Sequence, residues 1–248
     1  MSRFTNKTIL VTGGSSGIGL ASAKAFAAEG ARVITGRDAA ALEQAKAELG
    51  AGALAIRNDA GSLAAAKELA SALSNKGITL DAVFINAGVA KFAPLTAVDE
   101  SLWDLTFNTN VKGPYFQIQA LVPRLNAGAS IVINGSINAR IGMPSSSVYA
   151  ASKAAVISLA KTLSAELLPL GARVNVVSPG PVHTPIYGKL GLDQAALEAT
   201  AAQIQAQVPL GRFGKPEEIA ATVLHLSAPE SAFIVGTEII ADGGMSQL

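Results

Sequence analysis

The chain contains no cysteine and only two histidines, His183 and His225, far apart in sequence. Without cysteine there are no disulfides and no thiolate chemistry. A zinc site of Cys and His ligands is excluded on the same grounds, so no metal is expected. Charge is also scarce: 15% of residues, 19 basic against 18 acidic, for a net charge of +1. No basic block stands out, and the electrostatics make no case for a nucleic-acid partner. Long hydrophobic runs are missing as well. Nothing approaches the ~20 consecutive apolar residues that span a bilayer, so no membrane association is expected. Met1 to Thr8 is mostly polar and lacks the basic start, apolar run and small-residue cleavage site of a secretory signal. The chain therefore reads as cytoplasmic.

What is present is apolar mass. Hydrophobic residues make up 50% of the 248, and mean hydropathy is +0.39. Either the interior is large or part of the surface is buried against other subunits. Strand-like and helix-like segments alternate. Strands are expected at Lys7–Thr12, Arg32–Thr35, Ala53–Arg57, Asp81–Ile85, Ser130–Asn134, Arg173–Val177 and Glu238–Ile240. Helices are expected at Ser16–Glu29, Ala39–Leu49, Ser62–Asn75, Val148–Leu168, Asp193–Gln207 and Pro216–Ser227. Glu100–Asn126 reads as one long helix bent near Pro114 and Pro123. Apolar strands between helices point to a parallel sheet covered on both faces. The expected architecture is a single doubly wound α/β domain over residues 1–248. It would hold about seven strands, with a substrate-binding insertion at about 184–210. In such a sheet, ligands bind beyond the carboxyl ends of the strands.

Thr12-Gly13-Gly14-Ser15-Ser16-Gly17-Ile18-Gly19 follows the first strand and opens the first helix. Glycines let the backbone turn tightly and approach a pyrophosphate, and the helix N-terminus offers free N–H groups. No Gly-Lys-Ser/Thr follows, so this is not a P-loop. Further along, Tyr149-Ala150-Ala151-Ser152-Lys153 opens a helical segment. Positions i and i+4 share a helix face, so phenol and ammonium can address one point. A free phenol has a pKa near ~10, and a nearby cation lowers it, which suits general acid/base work. Ser136 falls just past one strand and Asn86-Ala87-Gly88 just past another. Asn110 sits inside the long helix, where asparagine more often caps or kinks than continues.

The Gly13-x3-Gly17-x-Gly19 spacing, with these residues, resembles the short-chain dehydrogenase/reductase family of the classical type. The resemblance runs from Thr12 to Asp242-Gly243-Gly244. It implies a catalytic tetrad of Asn110, Ser136, Tyr149 and Lys153. By the same resemblance Tyr149 exchanges a proton with the substrate oxygen and Ser136 hydrogen-bonds that oxygen. Lys153 lowers the phenol pKa and holds the nicotinamide ribose, and Asn110 positions a proton-relaying water. The glycine turn (Gly13, Ser15, Ser16, Gly17, Ile18, Gly19) would hold the dinucleotide. Asp59 and Ala60 would meet the adenine, and Asn86, Ala87 and Gly88 its ribose. Pro179, Gly180, Val182 and Thr184 would hold the nicotinamide end.

The cofactor is decided at the end of the second strand, where an acid suits the ribose 2′-hydroxyl of NAD and an arginine the 2′-phosphate of NADP. The residues are Thr35-Gly36-Arg37-Asp38. Arg37 favours NADP(H). Asp38, read as the cap of the next helix, leaves NAD(H) as the alternative. The second strand reads one residue shorter than the family usually has before such a triplet, and a one-residue shift reverses side-chain direction. Phe92, Met143, Tyr187 and Leu190 are expected to wall a pocket for a small-molecule ketone or secondary alcohol of hydrophobic character. A non-catalytic redox sensor and a 3-oxoacyl thioester reductase are the alternatives. An enoyl reductase would separate its Tyr and Lys further. The small and apolar residues of the two long helices, which form subunit contacts in the resembled family, imply a homotetramer.

Overall fold

The computed structural model describes residues 3–50, 52–185 and 194–248. Tyr187 and Leu190, expected as pocket walls, and Asp193, expected to begin a helix, lie outside them. Seven strands form one parallel sheet: β1 (Phe4–Val11), β2 (Gly30–Gly36), β3 (Ala53–Arg57), β4 (Leu80–Ile85), β5 (Leu125–Asn134), β6 (Arg173–Pro179) and β7 (Glu238–Ala241). Their order in the sheet is β3-β2-β1-β4-β5-β6-β7. The chain winds outward from β1 to β3, crosses back, and winds the other way from β4. The carboxyl ends of β1 and β4 therefore flank the switch point where a ligand crevice opens.

The strands are apolar through their central stretches because they are covered on both faces there. On β1, Ile9 and Val11 face one core with Phe26, Leu42, Ile219 and Val223. Between them Leu10 faces the other, with Leu69, Leu73, Ile118 and Val156. Helices α1 (Gly17–Ala27), α2 (Ala39–Leu49) and α8 (Pro216–Ser227) supply the first face. The second face is built from α3 (Leu63–Asn75), α5 (Gly113–Leu121) and α6 (Ser147–Leu167). Full burial of each large side chain is worth about 1.5–3 kcal/mol, so the alternation locks every strand's register.

Several element ends differ from the sequence reading. β2 spans seven residues rather than four and pairs with β3 in continuous register and with β1 across a shift between Phe4 and Thr8. The strand is thus longer than the sequence reading had it. The expected single helix 100–126 is four pieces. After α4 (Glu100–Phe107) comes a π turn at Asn108–Lys112, then α5, then a 3-10 turn at Val122–Arg124. Pro114 sits in the first turn of α5, where its missing N–H costs nothing. Leu125 already belongs to β5, paired with Leu80. The remaining helix, α7 (Gln194–Ala206), agrees with the expectation to within a residue at its described end.

Candidate functional site

The crevice at the switch point is a cavity of about 500 Å³. Its walls include Gly13, Ser15, Ser16, Gly17, Ile18, Arg37, Asp59, Ala60, Asn86, Ala87, Gly88, Tyr149, Lys153 and Thr184. Thus fourteen residues that the sequence scattered over the chain line one space. Gly19, Pro179, Gly180 and Val182, also expected at the cofactor, do not line it. A Cβ on Gly19 would lie 2.2 Å from the Gly13 carbonyl oxygen, so only glycine lets α1 start against the turn. Gly180 packs on Asp242, and buried Val182 bridges to Gly214.

The first wall is built around Thr12. Its hydroxyl accepts hydrogen bonds from the backbone N–H groups of Asn86 (2.9 Å) and Ala87 (3.0 Å). In return the Asn86 carboxamide donates to the carbonyls of Thr12 (3.1 Å) and Gly13 (3.3 Å). The glycine turn after β1 and the Asn86-Ala87-Gly88 turn after β4 are thereby one unit. Gly13 holds φ of +64°, a conformation glycine adopts freely. The result is a cradle of backbone with small residues at Gly13, Ser15, Ser16 and Gly17, opening on the N-terminus of α1. That is the arrangement a pyrophosphate requires, so the residues present fit a dinucleotide.

The second wall carries the acid/base groups. Tyr149 and Lys153 lie one turn apart on α6. The ammonium stands 5.8 Å from the phenol ring centroid, and Phe92 packs edge-on against that ring at 5.5 Å. Ser136, just past β5, hydrogen-bonds the phenol. Burial, the larger effect, raises the phenol pKa above its ordinary value, while the Ser136 hydrogen bond acts the other way. The ammonium does not set that direction. Lys153 is itself buried, which lowers its pKa to about 8, and it donates to the Asn134 carbonyl at 2.7 Å.

Asn110 lies in the π turn, and its buried carboxamide is fully engaged. It accepts from the Val89 N–H (2.8 Å) and donates to the Val89 carbonyl (2.9 Å) and the Ser152 hydroxyl (3.1 Å). Ser152 in turn donates to the Tyr149 carbonyl at 2.7 Å. Gly88 marks where these groups meet: a Cβ there would lie 3.1 Å from Asn110 Oδ1 and 3.7 Å from Lys153 Nζ. Tyr149 and Lys153 thus line the cavity, Ser136 stands against the phenol, and Asn110 ties the Val89 backbone to Ser152 on α6.

Sequence reasoning missed Asn134. Its carboxamide donates to Asn86 Oδ1 at 3.0 Å, while its carbonyl holds Lys153. One residue thus links the cradle to the ammonium. The available signal was a polar residue ending an otherwise apolar strand, Ile131-Val132-Ile133-Asn134. Asp38 does cap α2, accepting from the Ala41 N–H at 2.9 Å. Among the described residues no group of three His, Asp or Glu side chains is placed to hold a metal ion. No helix there is long and apolar enough to cross a membrane.

Fold and site define a dinucleotide-binding oxidoreductase scaffold, and comparison with known proteins agrees. Residues 13–246 match the family model described as enoyl-(acyl carrier protein) reductase. The chain is 37% identical to the Thermotoga maritima 3-oxoacyl-[acyl-carrier-protein] reductase FabG, over 98% of this chain and 99% of that one. A solved structure of a short chain dehydrogenase/reductase family protein superposes with a TM-score of 0.87 at 40% identity, covering 100% of both chains. A short chain dehydrogenase from Burkholderia cenocepacia, solved in complex with NADP, gives a TM-score of 0.89 at 33% identity. It covers 98% of this chain and 99% of that one. The chain belongs to the short-chain dehydrogenase/reductase family.

Proposed function

We propose that this chain is an NADP(H)-dependent oxidoreductase that interconverts a ketone or aldehyde and a secondary alcohol. The observation that carries the reading is that Tyr149 and Lys153 line one cavity with the dinucleotide cradle, with Ser136 against the phenol. Bound in that cradle, the nicotinamide cofactor supplies or accepts a hydride. The chain's own residues do the rest. The Ser136 hydroxyl holds the substrate oxygen next to the phenol, and Tyr149 gives that oxygen its proton in reduction or takes it in oxidation. Lys153, fixed by the Asn134 carbonyl, presents its ammonium to the nicotinamide ribose and favours the deprotonated phenol once the cavity is filled. Asn110 holds the Gly88-Val89 backbone open so that a water can reach Lys153 and replace the proton.

Arg37 at the carboxyl end of β2 supports NADP(H) over NAD(H), because Asp38 is spent on its helix cap. On this reading the cofactor contacts are Gly13, Ser15, Ser16, Gly17, Ile18, Gly19, Arg37, Asp59, Ala60, Asn86, Ala87, Gly88, Tyr149, Lys153, Pro179, Gly180, Val182 and Thr184. The substrate lies against Phe92 and Met143, and a single domain carries both parts, with residues 184–210 as the substrate insertion. Arg37→Asp should reverse the preference. A charge-assisted hydrogen bond of about 1.5–3 kcal/mol corresponds to roughly ten- to a hundredfold in kcat/KM. A variant that keeps the wild-type ratio contradicts the assignment.

A 3-oxoacyl thioester reductase is the second reading, favoured by the similarity to FabG. Tyr149 with Lys153 four residues on, beside Ser136, supports carbonyl rather than enoyl reduction. Following NADPH absorbance with simple ketones, a 3-oxoacyl thioester and an enoyl thioester separates the three. Turnover of simple ketones is expected. Consumption of the enoyl substrate alone contradicts the proposal.

A further inference from the structure

Arg37 lines the cavity, and just outside that lining a second arginine, Arg57, ends β3 and bonds the Arg37 backbone. We infer that Arg57 is a second cation for the 2′-phosphate of the cofactor, an inference that rests on the NADP(H) reading above. β2 and β3 run parallel with Gly36 opposite Arg57, so the ends of the two strands reach the crevice together. The Asn58 N–H donates to the Gly36 carbonyl at 2.9 Å and closes that corner. Arg57 is exposed, but one of its donors is fixed. Its Nε–H donates to the Arg37 carbonyl at 3.1 Å, which turns the guanidinium along the backbone of the residue expected to meet the phosphate. The remaining N–H donors of the fork stay available.

The charges nearby leave both arginines unspent. Among the described residues Arg3, Arg140 and Arg212 each pair with a glutamate, whereas neither Arg37 nor Arg57 has an ion-pair partner. The two carboxylates at this corner are otherwise engaged. Asp38 accepts from the Ala41 N–H at 2.9 Å, and Asp59 accepts from the Gly61 N–H at 3.0 Å. Gly36 leaves a gap in which a Cβ would sit 3.0 Å from the Ser15 hydroxyl, so a neutral donor faces the same space. A phosphate monoester carries about −1.5 to −2 charge and three acceptor oxygens at neutral pH. One guanidinium leaves it under-neutralised. Two guanidinium groups and a hydroxyl match both its charge and its acceptors. A ribose hydroxyl gives no reason for two unpaired cations here.

Calorimetry with 2′,5′-ADP and 5′-AMP isolates the phosphate without turnover. The chain is expected to bind 2′,5′-ADP more tightly. Arg57→Met should weaken 2′,5′-ADP by about tenfold, as for loss of one charge-assisted contact at an exposed site, and leave 5′-AMP unchanged. Arg57→Lys, which keeps the charge, should retain most of the affinity. If wild type prefers 2′,5′-ADP and Arg57→Met keeps that preference in full, Arg57 has no part in it, while the NADP(H) reading stands. Equal weakening of both ligands by Arg57→Met assigns the residue to the strand end alone and overturns the inference. A wild type indifferent to the 2′-phosphate overturns the NADP(H) reading together with this inference.

Discussion

Lys153 is a buried amine whose nearest fixed contact is a carbonyl, not a carboxylate. Desolvation therefore acts on it without compensation, and its folded pKa falls to about 8 from an ordinary 10.5. The unfolded chain holds this proton more tightly than the folded one. The penalty is present in full below about pH 8 and fades as the pH rises towards 10.5, where the unfolded chain also loses the proton. A shift of this size amounts to of order 3 kcal/mol. Lys153→Met should thus be more stable than wild type near neutral pH, with an advantage that shrinks above pH 8. Urea unfolding of both proteins at several pH values measures this. A difference that does not change with pH contradicts the account. Tyr149 and Lys153 were legible in sequence because a helix makes i and i+4 neighbours without tertiary help. That burial raises the phenol pKa, against the expected lowering by Lys153, was not legible, because burial is a property of the assembled walls.

At the scale of elements, the π turn at Asn108–Lys112 is where the fold departs from local propensity in order to place a side chain. An α-helix through this segment would carry Asn110 elsewhere. The extra residue in the turn lets its carboxamide reach Val89 and Ser152 together. Asn110→Ala removes three hydrogen bonds and leaves the Val89 backbone groups without those partners. A loss of about 2–3 kcal/mol in unfolding free energy is expected, together with weaker cofactor binding as the Gly88 turn loosens. An unchanged urea midpoint contradicts the tie. The sequence showed an asparagine out of place in a helix, but not the π turn, which only Val89 and Ser152 explain. β2 was misread for a related reason. Gly30 begins it, and glycine has low strand propensity, yet pairing with β1 and β3 on both sides makes it a strand. The start of β5 at Leu125 is set by Leu80 across the sheet, a partner that local pattern does not reveal.

At the scale of the whole molecule, large apolar side chains remain on the surface. Trp103 on α4 is 47% exposed and Tyr115 on α5 is 36% exposed, and Phe233, before β7, is fully exposed. These lie on separate elements, which is more than one contact face accounts for. We expect a homotetramer assembled through two interfaces, one on α4–α6 and one near β7. Light scattering should give about four times the 25.1 kDa chain mass, and Trp103→Glu should reduce it to dimers. A stable monomer at micromolar concentration contradicts this. The doubly wound architecture was the most legible feature of all, because alternating helices and doubly covered strands leave few other ways to bury half the residues.

The central claim is that the Tyr149 hydroxyl transfers the proton. Tyr149→Phe deletes that oxygen and keeps the ring against Phe92. The direct measurement is kcat for a ketone that wild type reduces, beside the Kd for NADPH read from Trp103 fluorescence or calorimetry. The account predicts a fall in kcat of at least about a hundredfold, the usual worth of a positioned acid or base, with Kd within about twofold of wild type. A Phe variant that keeps near-wild-type kcat contradicts it, because the proton must then come from another group.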